Sequence, residues 1–204
     1  MKKYAFIDVL NTASTAQKML GFVVDWGKLC TYLKSEKGCG DVFLYTGIEN
    51  GDLETAQEFD SLSTAGCIVI SKSVFAYKNK NKVIQFKCSI CQSESVETVD
   101  MGYTKKSNCD VELSVDVIER SAPDTELYIF TGDGDFEYLV RKAIEKGVEK
   151  VYIVSYAEKY VKAGITISRF STKLRQLIAS NPKKVFYMSL LDIKNKIKKE
   201  LAQG

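Results

Sequence analysis

The sequence predicts an α/β protein with a central parallel sheet and a β-hairpin insertion. Two observations carry this. Short apolar runs alternate with segments of helical period in the order βαβαβ, and parallel neighbours need crossover helices. The alternation is then broken once, between about 74 and 104, by a polar, lysine-rich stretch with a two-residue period of its own. A chain of 204 residues is one ordinary domain with such an insert. It is long enough to bury a core without disulfide or metal staples.

Residues 3–7 form a short apolar, aromatic first strand. A polar loop is expected next. Residues 24–33 place Trp26, Leu29, Cys30 and Leu33 at helical spacing, and Gly38 and Gly40 end that helix. Residues 41–45 form a second strand. Residues 52–62 form a helix opened by Asp52 as cap, and residues 67–71 a third strand. Within the insert, 83–87 and 95–99 alternate as the two sides of a hairpin, with Cys88-Ser89-Ile90-Cys91 between them. Asn108 is placed to cap a helix reaching about Arg120. Residues 126–130 form a fourth strand and 135–146 a helix stopped by Gly147. A fifth strand covers 150–154. A short helix at 171–179, an edge strand at 185–188 and a lysine-rich helix at 190–201 complete the chain. The main domain covers 1–180, and 181–204 is an extension packed on it.

Composition excludes several chemistries. The chain contains no His. Ser-His and Cys-His nucleophile pairs, an imidazole general base and His-ligated zinc are therefore ruled out. Proton transfer must fall to carboxylates, Lys, Tyr or metal-activated water. The formal net charge of +3 permits a polyanionic partner without requiring one. The opening Met1-Lys2-Lys3-Tyr4 runs straight into a strand, so no signal peptide is expected, and no apolar run reaches the length of a membrane span. A cytoplasmic protein with reduced thiols and no membrane partner is the expectation.

Three acidic segments end apolar runs far apart in the chain. They contain Asp8 and Asn11; Asp110, Glu112 and Asp116; and Thr131, Asp133 and Asp135. Ligands of open α/β sheets bind outside the carboxyl ends of the strands, and Asp8 and Asp133 both occupy that edge. Each has a structural alternative, since an Asp after a strand often caps a turn or helix. Asp135 suits the cap of the following helix, whereas Asp133 has no such role to fill. Glu112 and Asp116 share a helix face that Asp110 does not share with Asp116. Clustered carboxylates with few basic neighbours suit Mg²⁺ or Mn²⁺, which take oxygen ligands. Such an ion can polarise a phosphoryl oxygen and lower the pKa of bound water.

Ile7-Asp8-Val9-Leu10-Asn11, Asp110-Val111-Glu112-Leu113-Ser114-Val115-Asp116 and Thr131-Gly132-Asp133-Gly134-Asp135-Phe136 together resemble the signature of the NYN domain, in the LabA-like branch of the PIN-like nuclease superfamily. The resemblance implies a Rossmann-like three-layer α/β/α sandwich, PIN-like in type, and metal-dependent endonucleolytic cleavage of RNA. It assigns Mg²⁺ or Mn²⁺ binding to Asp8, Asp110 and Asp133. Asp135 would complete the shell or orient the water, and Asp116 is a second-tier acid. Asn11 would order the loop or position a ligand. Thr131, Lys105 and Lys106 would stand near the substrate. Two departures are visible: Val9 replaces the usual Gly, and Lys105 and Lys106 are set back from the second motif by three residues.

Cys88 and Cys91 form half of a zinc ribbon, and a reduced hairpin pair is favoured because a second C-x-x-C is missing. Cys109 or Cys67 would complete a zinc site only if the hairpin folded back. Two copies could share one across a homodimer interface. Lys72, Lys78, Lys80, Lys82 and Lys87 interleave with Phe75, Tyr77 and Phe86, a pattern that grips single-stranded RNA or simply solvates a hairpin face. The leading function is a metal-dependent endoribonuclease. The alternative is a non-catalytic RNA-binding or regulatory module on the same fold. A phosphatase of the haloacid dehalogenase type ranks lower, because no second acid lies two residues after Asp8.

Overall fold

The computed structural model describes residues 1–106 and 108–200, with backbone alone for Lys105, Lys106 and Lys162. Strand β1 (Lys2–Asp8) leads without a loop into helix α1 (Val9–Leu20). There follow α2 (Trp26–Ser35), β2 (Asp41–Ile48), α3 (Leu53–Thr64) and β3 (Ile68–Ser73). The insert supplies β4 (Phe75–Lys78), β5 (Lys82–Lys87), β6 (Glu94–Val99) and β7 (Tyr103–Lys106). The chain then returns through α4 (Asp110–Arg120), β8 (Thr125–Phe130), a 3₁₀ turn (Gly134–Phe136), α5 (Glu137–Glu145) and β9 (Lys150–Ser155). The hairpin β10 (Tyr160–Lys162) and β11 (Ile165–Ile167), α6 (Thr172–Ser180), β12 (Val185–Ser189) and α7 (Leu190–Ile197) close the described chain.

Six strands form one parallel sheet in the order β12-β9-β8-β1-β2-β3. The order reverses between β1 and β8, so a crevice opens outside their carboxyl ends. Alternate residues of each strand feed two cores. Ala5, Ile7, Tyr128 and Phe130 face α1, α2, α3 and α7. Phe6, Leu127 and Ile129 face α4, α5 and α6. This is the expected three-layer α/β/α sandwich. The edge strand β12 runs parallel to β9, and α7 buries Leu190, Ile193 and Ile197. Among the described residues no helix is long and apolar enough to cross a membrane.

Three local expectations are corrected. Residues after β1 form helix α1 rather than a polar loop. Its Thr12 and Thr15 are buried, and Thr12 Oγ1 donates to the Phe130 carbonyl at 3.4 Å, so threonines fill positions that a search for apolar residues passes over. The insert is a two-tier arm, not one hairpin: β4 pairs with β7 at its base, and β5 pairs with β6 beyond. The β10–β11 hairpin was not anticipated.

Neither core contains a residue between 71 and 106. Phe75 lies opposite Lys106 across an antiparallel pair, a gap of about 5 Å that a tight turn can span. Replacing 76–105 by Asn-Gly is therefore expected to leave a cooperatively folded protein with an unfolding midpoint within roughly 5 °C of the parent. Circular dichroism and a thermal melt check this.

Candidate active site

Asp8 is the last residue of β1 and the cap of α1. Its Oδ1 accepts from the Asn11 backbone N–H at 3.1 Å. Its Oδ2 lies 3.5 Å from Thr131 Oγ1. Thr131 Oγ1 accepts in turn from the Asp133 N–H at 3.2 Å, which leaves its own proton for Asp8. Asn11 Oδ1 accepts from the Gly132 N–H at 2.9 Å. The loops that leave β1 and β8 are thus laced together. Asp133 Oδ1 accepts from the Asp135 N–H at 3.0 Å and caps the 3₁₀ turn.

The glycines of this turn serve close approach. Neither Gly132 nor Gly134 has a positive φ. A Cβ on Gly132 would sit 2.2 Å from the Arg169 carbonyl oxygen, and one on Gly134 would sit 2.2 Å from Ser171 Oγ. The Ser171 N–H donates to the Gly132 carbonyl at 3.0 Å. Segment 168–171 is clamped against the acidic turn, which brings Arg169 to the site.

Asp110 begins α4, whose N-cap is Cys109 and carries no side-chain cap bond, so the cap expected of Asn108 falls one residue later; Asn108 Oδ1 instead accepts from the Asp110 N–H at 2.7 Å and closes the turn that enters the helix. The helix docks through buried Leu113 and Val117, and the Arg120 guanidinium lies 4.4 Å over the Phe43 ring. The Tyr45 hydroxyl donates to Asp116 Oδ2 at 2.8 Å. Buried Cys109 donates to the Thr46 carbonyl at 3.5 Å.

These elements surround a cavity of about 530 Å³ at the switch point, lined among others by Asp8, Asn11, Tyr45, Asp110, Asp133 and Arg169. Burial, helped by the charges of Asp110 and Asp133, raises the Asp8 pKa to about 6 despite the bonds from Asn11 and Thr131. Burial also raises Asp110, with further contributions from Asp133, Asp135 and Glu112 against the bond from Asn108. At the opposite end of the sheet the buried Glu126 carboxylate lies between Lys3 at 3.2 Å and Lys150 at 3.5 Å. Among the described residues no such ion pair reaches Asp8 or Asp110. The donor set is all oxygen and suits a hard cation. Among the described residues no group of three or more His, Cys, Asp or Glu side chains stands close enough together to hold a metal ion as placed.

A profile of the NYN domain matches residues 4–167. The chain belongs to the NYN domain family. The family is nuclease-like and RNA-related. A protein of unknown function from Vibrio parahaemolyticus shares the fold, with a TM-score of 0.62 and 18% identity over 97% of this chain and 96% of its own. Phosphofructokinase-2 from Escherichia coli aligns over 58% of this chain and 38% of its own, with 13% identity and a TM-score of 0.33, too little to argue from. A search of curated proteins found no match.

Within this NYN domain several expected side chains lie elsewhere. Thr131 is 1% exposed, so it positions Asp8 and Asp133 rather than touching substrate. The cap expected of Asp135 is supplied by Asp133. The Asp135 side chain is 84% exposed, 3.9 Å from Lys173. Asp116 holds Tyr45 and lies 3.9 Å from Arg120, and Glu112 pairs with Lys72 at 2.6 Å. Val9 packs into the core and does not line the cavity, so it does not narrow the approach to Asp8. The side chains of Lys105 and Lys106 fall outside the described residues. Cys88 and Cys91 sit at the far end of the arm, while Cys67 and Cys109 are buried in the body, so the arm does not fold back onto them. Arg169 and Tyr45 were missed. For Arg169 the available signal was the glycine pair, since a turn with two glycines invites a second backbone.

Two outcomes are expected. Gly132→Ala must push away the Arg169 carbonyl and should destabilise by about 2 kcal/mol or more, read as a lower denaturation midpoint. Asp8 binds its proton more tightly folded than unfolded, with a pKa of about 6 against an ordinary 3.8. In chelator the protein should therefore lose stability as pH rises from about 4 to 6, by an amount on the order of 3 kcal/mol. Asp8→Asn, which can still cap α1, should flatten that profile and melt roughly 5 °C higher at pH 7.5.

Proposed function

We propose that this NYN domain is a metal-dependent endoribonuclease, with Asp8, Asp110 and Asp133 holding Mg²⁺ or Mn²⁺. One observation carries the reading. Three carboxylates from distant parts of the chain line a single cavity at the sheet's switch point, and burial with the neighbouring acids raises the proton affinity of Asp8 and Asp110. A bound divalent cation would offset that repulsion, draw negative charge from a phosphodiester and lower the pKa of water beside it. The protein's own groups supply position. Asp8 and Asp133 are each held through one oxygen by a backbone N–H. Thr131 and Asn11 tie the two loops at a fixed separation. Arg169 would take a phosphate oxygen in the planar, two-pronged manner of a guanidinium. Asp135 adds negative charge from the rim. The absence of His is no obstacle to this chemistry.

The purified chain, given end-labelled mixed-sequence RNA, should cut it with Mn²⁺ or Mg²⁺ and not in EDTA. Asp133→Asn retains a cap for the 3₁₀ turn but loses a negative ligand. It should cut at least ~100-fold more slowly with an unchanged circular dichroism spectrum. Millimolar Mn²⁺ should raise the melting temperature of the wild type and not that of Asp8→Asn. Undiminished cleavage by Asp133→Asn would sink the assignment. RNA held in EDTA but never cut with Mn²⁺ would leave a binding module instead.

A further inference from the structure

The arm leaves the body beside the carboxylates, and its base has a built face. Phe75 and Tyr77 alternate with Ala76 and Lys78 along β4, so the two rings share one side of the ladder. They stand about 6.5 Å apart along the strand. They are 61% and 58% exposed and belong to neither core. Thr104 lies opposite Tyr77 on β7. Its Oγ1 donates to Asn79 Oδ1 at 2.7 Å, and the Asn79 side-chain amide donates to the Met101 carbonyl at 2.9 Å, so the floor between the strands is tied.

Phe75, Tyr77, Asn79, Thr104, Ser73 and Lys72 line a second open cavity of about 710 Å³. Asn108 lines this cavity and the carboxylate cavity alike, so the two adjoin at that residue. Lys72 stands at the junction. Its ammonium donates to the Asn108 carbonyl at 3.2 Å and pairs with Glu112 at 2.6 Å. Two of its three N–H donors are thereby committed among the described residues, and the third is available to a phosphate.

Charge points the same way. Seven lysines and three acids fall between 72 and 106, so this segment alone is more positive than the whole chain, whose net charge is +3. Exposed rings on a basic face suit a ligand that is anionic and offers flat apolar surfaces. Single-stranded nucleic acid is such a ligand, because unpaired bases stack on aromatic rings while the backbone meets lysines. A duplex keeps its bases stacked and cannot use the rings in this way.

We propose that the Phe75–Tyr77 face of the arm is a subsite for single-stranded RNA, with one base on each ring and the strand passing Lys72 and Asn108 toward the carboxylate cavity. The identity of what lies at the end of the track rests on the ribonuclease reading; the track itself does not. The experiment therefore measures binding in EDTA, where no cleavage occurs. A fluorescein-labelled 20-nucleotide RNA of mixed, unstructured sequence is titrated with the full chain, and anisotropy is read.

The Phe75→Ala, Tyr77→Ala double variant should bind at least about tenfold more weakly. Tyr77→Trp retains a ring and should retain affinity. Its emission, read against the single buried Trp26, should be quenched by this RNA and not by the corresponding duplex. Equal affinity of the double variant and the wild type overturns the proposal. So does a failure of the wild type to bind RNA in EDTA. A double variant that sediments as a monomer where the wild type is a dimer, with RNA affinity intact, overturns it in favour of a contact between copies. Loss of binding in the double variant, combined with no cleavage by the wild type in Mn²⁺, upholds the track and removes the ribonuclease reading.

Discussion

The parallel pairing of β1 with β8, with Ile7 opposite Phe130, brings Asp8 alongside Thr131 and so decides how the acidic edge is assembled. The two strands are sequence-distant neighbours at the point where the sheet reverses its order, and no helix can cover the crevice between their carboxyl ends. The hydrogen bonds of the site follow from that register. Asn11 reaches the Gly132 N–H and Thr131 reaches Asp8 because the two chain ends emerge side by side. A slip of one residue along β1 would turn its side chains to the other face of the sheet and carry Asp8 out of the crevice.

Placing acids there is costly, and the fold treats its buried acids in two different ways. Glu126 lies between two lysines and is neutralised within the protein. Among the described residues Asp8 gains hydrogen bonds alone, from the Asn11 N–H and Thr131, and faces Asp110 and Asp133. Both groups are carboxylates on adjacent central strands, so side-chain chemistry does not explain the difference. Position does: one lies at the closed end of the sheet, and the other opens onto a cavity. An internal cation would have made Asp8 an ordinary structural residue. Among the described residues no ion pair compensates Asp8, which is the condition the proposed external cation would need.

Much of this was legible in the chain. The strands of the central sheet, most of its helices and the edge strand at 185–189 follow from period and length, because burial imposes both. The sequence poses cap and site as alternatives at Asp8 and gives Asp133 no cap; both residues cap, and because a carboxylate has two oxygens and a cap consumes one, the cap does not exclude the proposed site role. Helix α1 was hidden because buried Thr12 and Thr15 read as polar. Asp135 was mistaken for the cap because the 3₁₀ turn begins one turn before α5. For Arg169 the glycine pair signals that a second segment packs on the turn, but no spacing in the chain says which segment. Arg169 arrives from a segment after β11 that is held by buried Phe170, by the bond from the Ser171 N–H to the Gly132 carbonyl and by close packing against Gly132 and Gly134.

The uneven distribution of lysines has a consequence for encounter as well as for contact. With the segment from 72 to 106 more positive than the whole, the remaining residues carry one more acid than base. The molecule is therefore a lopsided dipole, with its positive pole on the arm and, at the arm's root, Asp8 and Asp110, which meet no ion pair among the described residues. A polyanion drifting in from a distance within the screening length, about 8 Å at physiological salt, feels attraction to the arm and repulsion from the acidic patch. Approach is thereby oriented before any surfaces meet. Under the proposed metal binding, a cation in the patch would change its sign and admit the phosphate backbone.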